Sequence, residues 1–147
     1  MQKGEYRMGK IADNKAAARR FVGVWGSESL ETVDELAAPD LSVYYPTLGQ
    51  PIHGAEAFKQ LLIRIRSVFA DAVVSSDDVI AEDDKVVVCW TMRATHANDL
   101  AMPIHVPATG KQITWTGITV YRFADDKIVE EYGQEDFLGV LGQLGAL

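Results

Sequence analysis

Apolar positions recur at helical spacing in three stretches of this chain and alternate at strand spacing through most of the remainder. Residues 1–12 are polar without sustained periodicity and read as a mobile lead-in. Ala17, Phe21 and Trp25 then fall at four-residue steps, predicting an amphipathic helix capped by Asp13 or Asn14 and ended by Gly26. A second, shorter helix opens at Ser27 or Ser29, carries Leu30, Val33, Leu36 and Ala37 on one side, and stops at Pro39. The clearest amphipathic pattern is Phe58, Leu61, Leu62, Ile65 and Phe69, spaced for one face of a third helix. Before it, 41–45 reads as a short strand and 46–54 as a loop with two prolines and two glycines.

The second half changes period. Stretches 71–82 and 85–95 read as strands around Asp83-Asp84, and 113–123 and 128–132 as strands around Asp125-Asp126. Asp136 is placed to accept hydrogen bonds from the open amides of a last helix bearing Phe137, Leu138, Leu141 and Leu144. Helices first and antiparallel strands afterwards predict an α+β fold with the helices on one face of the sheet. No repeat, low-complexity tract or linker interrupts 13–147, so one domain is expected.

Composition narrows the partners. The formal net charge is −7 and the pI about 4.9, which opposes long-range attraction to a phosphate backbone. Nucleic acid is not expected. No apolar run approaches the roughly 18 residues of a membrane helix, and no apolar N-terminal segment reads as a signal peptide; a cytoplasmic protein without a membrane partner is expected. Cys89, within the apolar run 86–90, reads as an inert buried thiol. His53, His96 and His105 lack the short helical spacing of a zinc motif. Neither a metal nor a cofactor is expected.

The region from Pro107 to Gly145 carries a more specific signal. Pro107, Thr109, Gly110 and Lys111 precede a strand containing Thr116-Gly117; Lys127, Ile128, Glu130 and Tyr132 follow the turn; Asp136, Gly139, Gln143, Leu144 and Gly145 close the chain. With Asn14-Lys15, Arg19-Arg20-Phe21, Trp25, Ala38-Pro39-Asp40, Gly54 and Thr95-His96, this pattern resembles the SnoaL-like polyketide cyclase and ester cyclase group of the NTF2-like superfamily. The resemblance implies a cone: a strongly curved, mixed sheet wrapped around three helices, enclosing one deep pocket. By analogy it also implies a homodimer formed through the outer sheet face.

In the register the family suggests, Trp115, Gly117, Thr119, Tyr121 and Phe123 face inward on one strand and Val129, Glu131 and Gly133 on the next, with Ile118 and Val120 outward. Cyclases of the family place a general acid/base aspartate at the position of Gly133 and a histidine at that of Thr119. This chain has neither side chain, and a glycine cannot move a proton. Glu131 is the replacement base if it faces inward, where desolvation would raise its pKa; turned outward, it joins Glu130 on a solvated edge. Glu135, next to the cap, invites the same argument more weakly.

Tyr45 and His96 are candidates to polarise a substrate oxygen. His105 lies in the loop 96–110, and Arg93 either enters the cone to anchor a carbonyl or anion or stays on the solvated face. Trp25, Tyr45, Phe58, Trp115 and Tyr121 form the expected aromatic lining, with Thr119 and Gly133 beside it. Three functions remain open. One is a cofactor-independent enzyme acting on a small, largely apolar oxygenated molecule, an epoxide hydrolase or isomerase of the same fold included. The others are a noncatalytic small-molecule binder and a dimeric interaction module.

Overall fold

In the computed structural model, which describes residues 3–147 and side chains from residue 8 onward, the elements follow one another as α1 (Lys3–Val22), α2 (Glu31–Leu36), β1 (Ala37–Tyr44), β2 (Ile52–His53), α3 (Ala55–Val68), β3 (Phe69–Glu82), β4 (Lys85–His96), β5 (Gln112–Ala124), β6 (Lys127–Glu135) and α4 (Phe137–Gln143). The strands form one sheet in the order β2-β1-β6-β5-β4-β3. β1 runs parallel to β6, and every other pair is antiparallel. This is the α+β cone that the resemblance implies, with a mixed sheet curved around the helices.

α1 and α3 supply the apolar ridge against the inner face. Phe21 of α1 stacks on Phe58 of α3 at 6.0 Å and meets Tyr121 of β5 edge-on at 5.8 Å. All three rings are buried, which is why Phe21 and Phe58 stand in the apolar stripes of their helices.

Several boundaries differ from those the pattern predicts: Phe69, read as the end of the third helix, opens β3, and β2 lies inside the expected loop. α1 begins at Lys3, so the lead-in boundary at residue 12 falls inside a helix; residues 1–2 lie outside the described residues. The segment is rich in Lys, Glu, Arg, Met and Ala, which favour helix without supplying an apolar stripe. β1 begins at Ala37, whose partner is Ile128, and Pro39 sits where the ladder shifts register before Ser42. Pro lacks an N–H to donate, so it is tolerated there. β6 runs on to Glu135 because Ile118 pairs with Gln134 and Gly117 with Glu135.

The alternation on β5 is as expected: Trp115, Thr119, Tyr121 and Phe123 are buried while Ile118 is exposed. On β6 it is broken once. Arg122 pairs with Glu130 and Phe123 with Ile128, leaving Val129 as the extra residue of a bulge. Ile128, not Val129, is therefore the buried residue at the start of the strand. Beyond the bulge Glu131 and Gly133 face inward.

Local chemistry fixes the C-terminal unit. Asp125 and Asp126 both adopt positive φ, 50° and 65°, the geometry of a two-residue I′ hairpin. Asp136 Oδ1 accepts from the Gly139 N–H at 2.9 Å. Gln143 reaches back from α4 to grip the Thr114 backbone, accepting from its N–H at 3.0 Å and donating to its carbonyl at 2.7 Å. The side-chain amide takes the place of a missing strand neighbour, which holds α4 over the mouth of the cone.

Candidate functional site

The cone encloses a cavity of about 500 Å³. Its walls come from one segment after β1 (Thr47, Leu48, Ile52), from α3 (Leu61, Arg64, Ile65, Val68), from the sheet (Phe69, Val74, Trp90, Met92, Trp115), and from Phe137 and Val140 of α4. Trp25 and Tyr45 complete the wall, and Asp99, Leu100, Ala101 and Met102 border it from the loop after β4. All three tryptophans of the chain are present. Trp90 lies flat enough on β5 that a Cβ at Gly117 would stand 2.2 Å from its Cζ2, so the glycine is what lets this indole lie there.

Glu135 brings a part-buried carboxyl into this wall, whereas Asp99 is exposed at its border. The Glu135 carboxyl accepts from the Thr47 hydroxyl at 3.0 Å and the Trp115 indole at 3.2 Å. Among the described residues no cationic side chain lies within ion-pair distance of it. Desolvation raises its pKa, against the opposing pull of the Trp115 and Thr47 donors. The sequence pattern undervalues this residue because it ends β6 three residues early; once the strand reaches Glu135, the side chain joins the cavity wall.

Glu131 is buried deeper. Its Oε2 accepts from the Tyr45 hydroxyl at 2.6 Å and from the Trp25 indole at 2.7 Å. Each hydroxyl has one proton to give, so with Tyr45 donating to Glu131, Thr119 donates to Tyr45 across 2.8 Å. Trp90 in turn donates to Thr119 at 3.0 Å. The result is a polarised chain of Trp90, Thr119, Tyr45 and Glu131. Burial raises the Glu131 carboxyl to about 7 despite the two donors. It also holds the Tyr45 and Tyr121 phenols well above their ordinary value, with the nearby Glu131 charge adding to it.

Among the expected site residues, Trp25, Tyr45 and Trp115 line the cavity; Glu131, Thr119, Tyr121, Gly133 and Phe58 are buried behind its wall. His96 is buried too, away from Glu131: its Nδ1 accepts from the Thr109 N–H at 3.2 Å, and its ring lies 5.8 Å from Phe69. Desolvation lowers its pKa, favouring the neutral ring. Two residues considered as substrate contacts, Arg93 and His105, lie outside the cavity wall. Arg93 is exposed on the outer face of β4, because strand alternation turns it away from its inward-facing neighbours Met92 and Ala94. His105 is exposed on the loop, 3.7 Å from Asp99, and is absent from the cavity wall. Among the described residues no group of three or more His, Cys, Asp or Glu is placed to share a metal ion, and no helix is long and apolar enough to cross a membrane.

The sequence profile of the SnoaL-like polyketide cyclases matches residues 15–144. The chain belongs to this family. Similar solved structures include a proposed polyketide cyclase of Acidithiobacillus ferrooxidans, 29% identical with a TM-score of 0.80, covering 90% of this chain and 94% of that one. AclR, a proposed hydroxylase of Streptomyces galilaeus, is 26% identical with a TM-score of 0.78 over 93% of this chain and 83% of its own. IdmH, a proposed polyketide cyclase of Streptomyces antibioticus, is 26% identical with a TM-score of 0.71 over 95% and 98%. No curated protein sequence matches significantly.

For this SnoaL-like protein the departure at Gly133 is structural as well as chemical. A Cβ there would stand 2.1 Å from Tyr45 Cε1 and 2.7 Å from Cζ. The tyrosine ring occupies the space a side chain at this position would need. The carboxyls that remain inside the cone are Glu131, sealed behind Tyr45 and Trp25, and Glu135, in the cavity wall.

Proposed function

We propose that this SnoaL-like protein takes a small, largely apolar, oxygenated molecule into the cavity and moves a proton on it without a cofactor, with Glu135 as the acid/base. The observation that carries this reading is the placement of Glu135: a carboxyl in an aromatic wall, held by two neutral donors, with its pKa raised toward the range useful for proton transfer. Trp115 and Thr47 orient it. Tyr45 and Trp25 present aromatic surface to the carbon skeleton, and Arg64 and Asp99 are the charged side chains at the exposed rim. The names of the similar structures, polyketide cyclase and hydroxylase, support a reading in which the ligand is an oxygenated carbon framework.

Exchange of protons α to a carbonyl, followed by NMR in D₂O over a panel of small ketones and lactones, tests the reading directly. Glu135→Gln keeps the bond from Trp115 at its amide oxygen and reverses the one to Thr47, whose hydroxyl accepts from the new amide N–H; it removes the base and should lower exchange by about 10²-fold or more. The acidic limb of the wild-type profile should lie above the ordinary glutamate range, since the active form is the ionised one. Exchange retained in Glu135→Gln would eliminate this residue as the base. A noncatalytic container, which the glycine at 133 and the threonine at 119 favour, predicts binding of the same compounds with no exchange in either protein.

The partner proposed for the outer sheet face is a second copy of the chain. An apolar row crosses that face in register, from Ile80 through Val87 and Val120 to Tyr132 and Tyr44. Ile118, half-exposed beside it, gives a test by light scattering: wild type at twice the chain mass, Ile118→Lys at the chain mass. A monomeric wild type would refute the dimer.

A further inference from the structure

Glu131 and Gly133 lie on the inner face of β6, directly opposite Tyr121 and Thr119 of β5. The four residues make a square on the floor of the cone, and the ring of Tyr45 lies on it. Its Cε1 is 2.1 Å from where a Cβ at 133 would be, and its hydroxyl bonds Glu131 Oε2 at 2.6 Å and Thr119 Oγ1 at 2.8 Å. Tyr45 borders the cavity, whereas none of the four floor residues does. Two floor atoms, Glu131 Oε1 and Tyr121 Oη, are sealed from solvent and have no hydrogen-bond partner. Buried polar atoms left this way are costly and uncommon in native structures.

We infer that Tyr45 sets the depth of the cavity and plugs a second, polar subsite beneath it, in which Glu131, Thr119 and Tyr121 would receive the hydroxyl of a phenol- or enol-like ring. The plug already displays that chemistry. Its own phenol is bound by Glu131 and Thr119, and Glu131 Oε1 and Tyr121 Oη remain free to complete the coordination of a group entering in its place. Tyr45 directly follows β1 and begins the segment that carries Thr47, Leu48 and Ile52 of the cavity wall, so plug and wall belong to one stretch of chain. The inference deepens the reading of the cone as a small-molecule site, and it names the end of the ligand that goes in first.

Phenol itself is the probe. Tyr45→Ala removes the plug and should bind phenol at least about tenfold more tightly than wild type, by thermal shift and by NMR line broadening. Adding Glu131→Leu should reverse most of that gain. A cycle with Gly133→Ala tests the steric half: the methyl group should lower Tm by about 5 °C or more beside Tyr45, and by much less in the Tyr45→Ala background. Should Tyr45→Ala not fold, Tyr45→Leu keeps contact with Trp25 and serves in both measurements. The inference is overturned if the folded Tyr45 variants take up no more phenol than wild type, or if Gly133→Ala costs the same in both backgrounds. Phenol uptake is read without turnover. Uptake in a protein that catalyses no exchange retires the acid/base reading and leaves this one standing; absent uptake retires this one whatever Glu135→Gln does.

Discussion

Gly133→Asp, which puts back the side chain typical of the family's cyclases, should destabilise this protein by about 4 kcal/mol or more. It should also fail to confer cyclase chemistry. The new Cβ would meet Tyr45 Cε1 at 2.1 Å and Thr119 Oγ1 at 2.9 Å, and the ring is held in place by hydrogen bonds to Glu131 and Thr119. The carboxylate would then stand on the same buried face as Glu131, where two like charges oppose each other's ionisation. Urea unfolding of the variant measures the loss. Removing the ring as well, in Tyr45→Ala/Gly133→Asp, should recover part of it; a single variant as stable as wild type would show that the ring yields freely and that the contact is not limiting.

Stability should fall as the pH rises from about 5 to about 8, and Glu131 should account for much of the fall. Its folded-state pKa of about 7 lies above the ordinary 4.5, so the fold prefers the protonated form. That contribution is complete below about pH 4.5 and is lost as the pH climbs through 7, a change of about 3 kcal/mol for a group this buried. Glu135 acts in the same direction. The exposed carboxyls whose pKa is lowered by Arg20, Lys59 and Arg122 act oppositely, losing their contribution as acid protonates them, which sets the maximum near pH 5. Glu131→Gln keeps an acceptor for Tyr45 and Trp25 but cannot ionise, so its stability should vary far less between pH 5 and 8. Identical slopes for variant and wild type in urea titrations would remove Glu131 from this role.

A large part of the fold was legible because its signals are local. The turn at Asp125-Asp126, the cap at Asp136 and the stripe from Phe58 to Ile65 each depend on residues a few positions apart, and the structure places them as the pattern predicts, while Phe69, the last position of that stripe, opens β3 instead. The alternation on β5 was legible for the same reason. The start of α1 was not, since a polar helix has no stripe to reveal it. The bulge at Val129 was not either, because it is defined by which β5 residues sit opposite it.

The site divides along the same line. Sequence alone determined the α+β class and the inventory of polar groups through local spacing, and its resemblance to the SnoaL-like family implied the cone and the loss of an acid/base side chain at position 133. Only the tertiary structure decided where each group lies. It set Glu135 in the cavity wall, Glu131 behind Tyr45 and Trp25, His96 against Thr109 and Phe69, and Arg93 and His105 outside. The physical reason is that burial and hydrogen bonding here join residues as far apart as Trp25 and Glu131, and one extra residue of strand or one bulge determines which of them face the cavity.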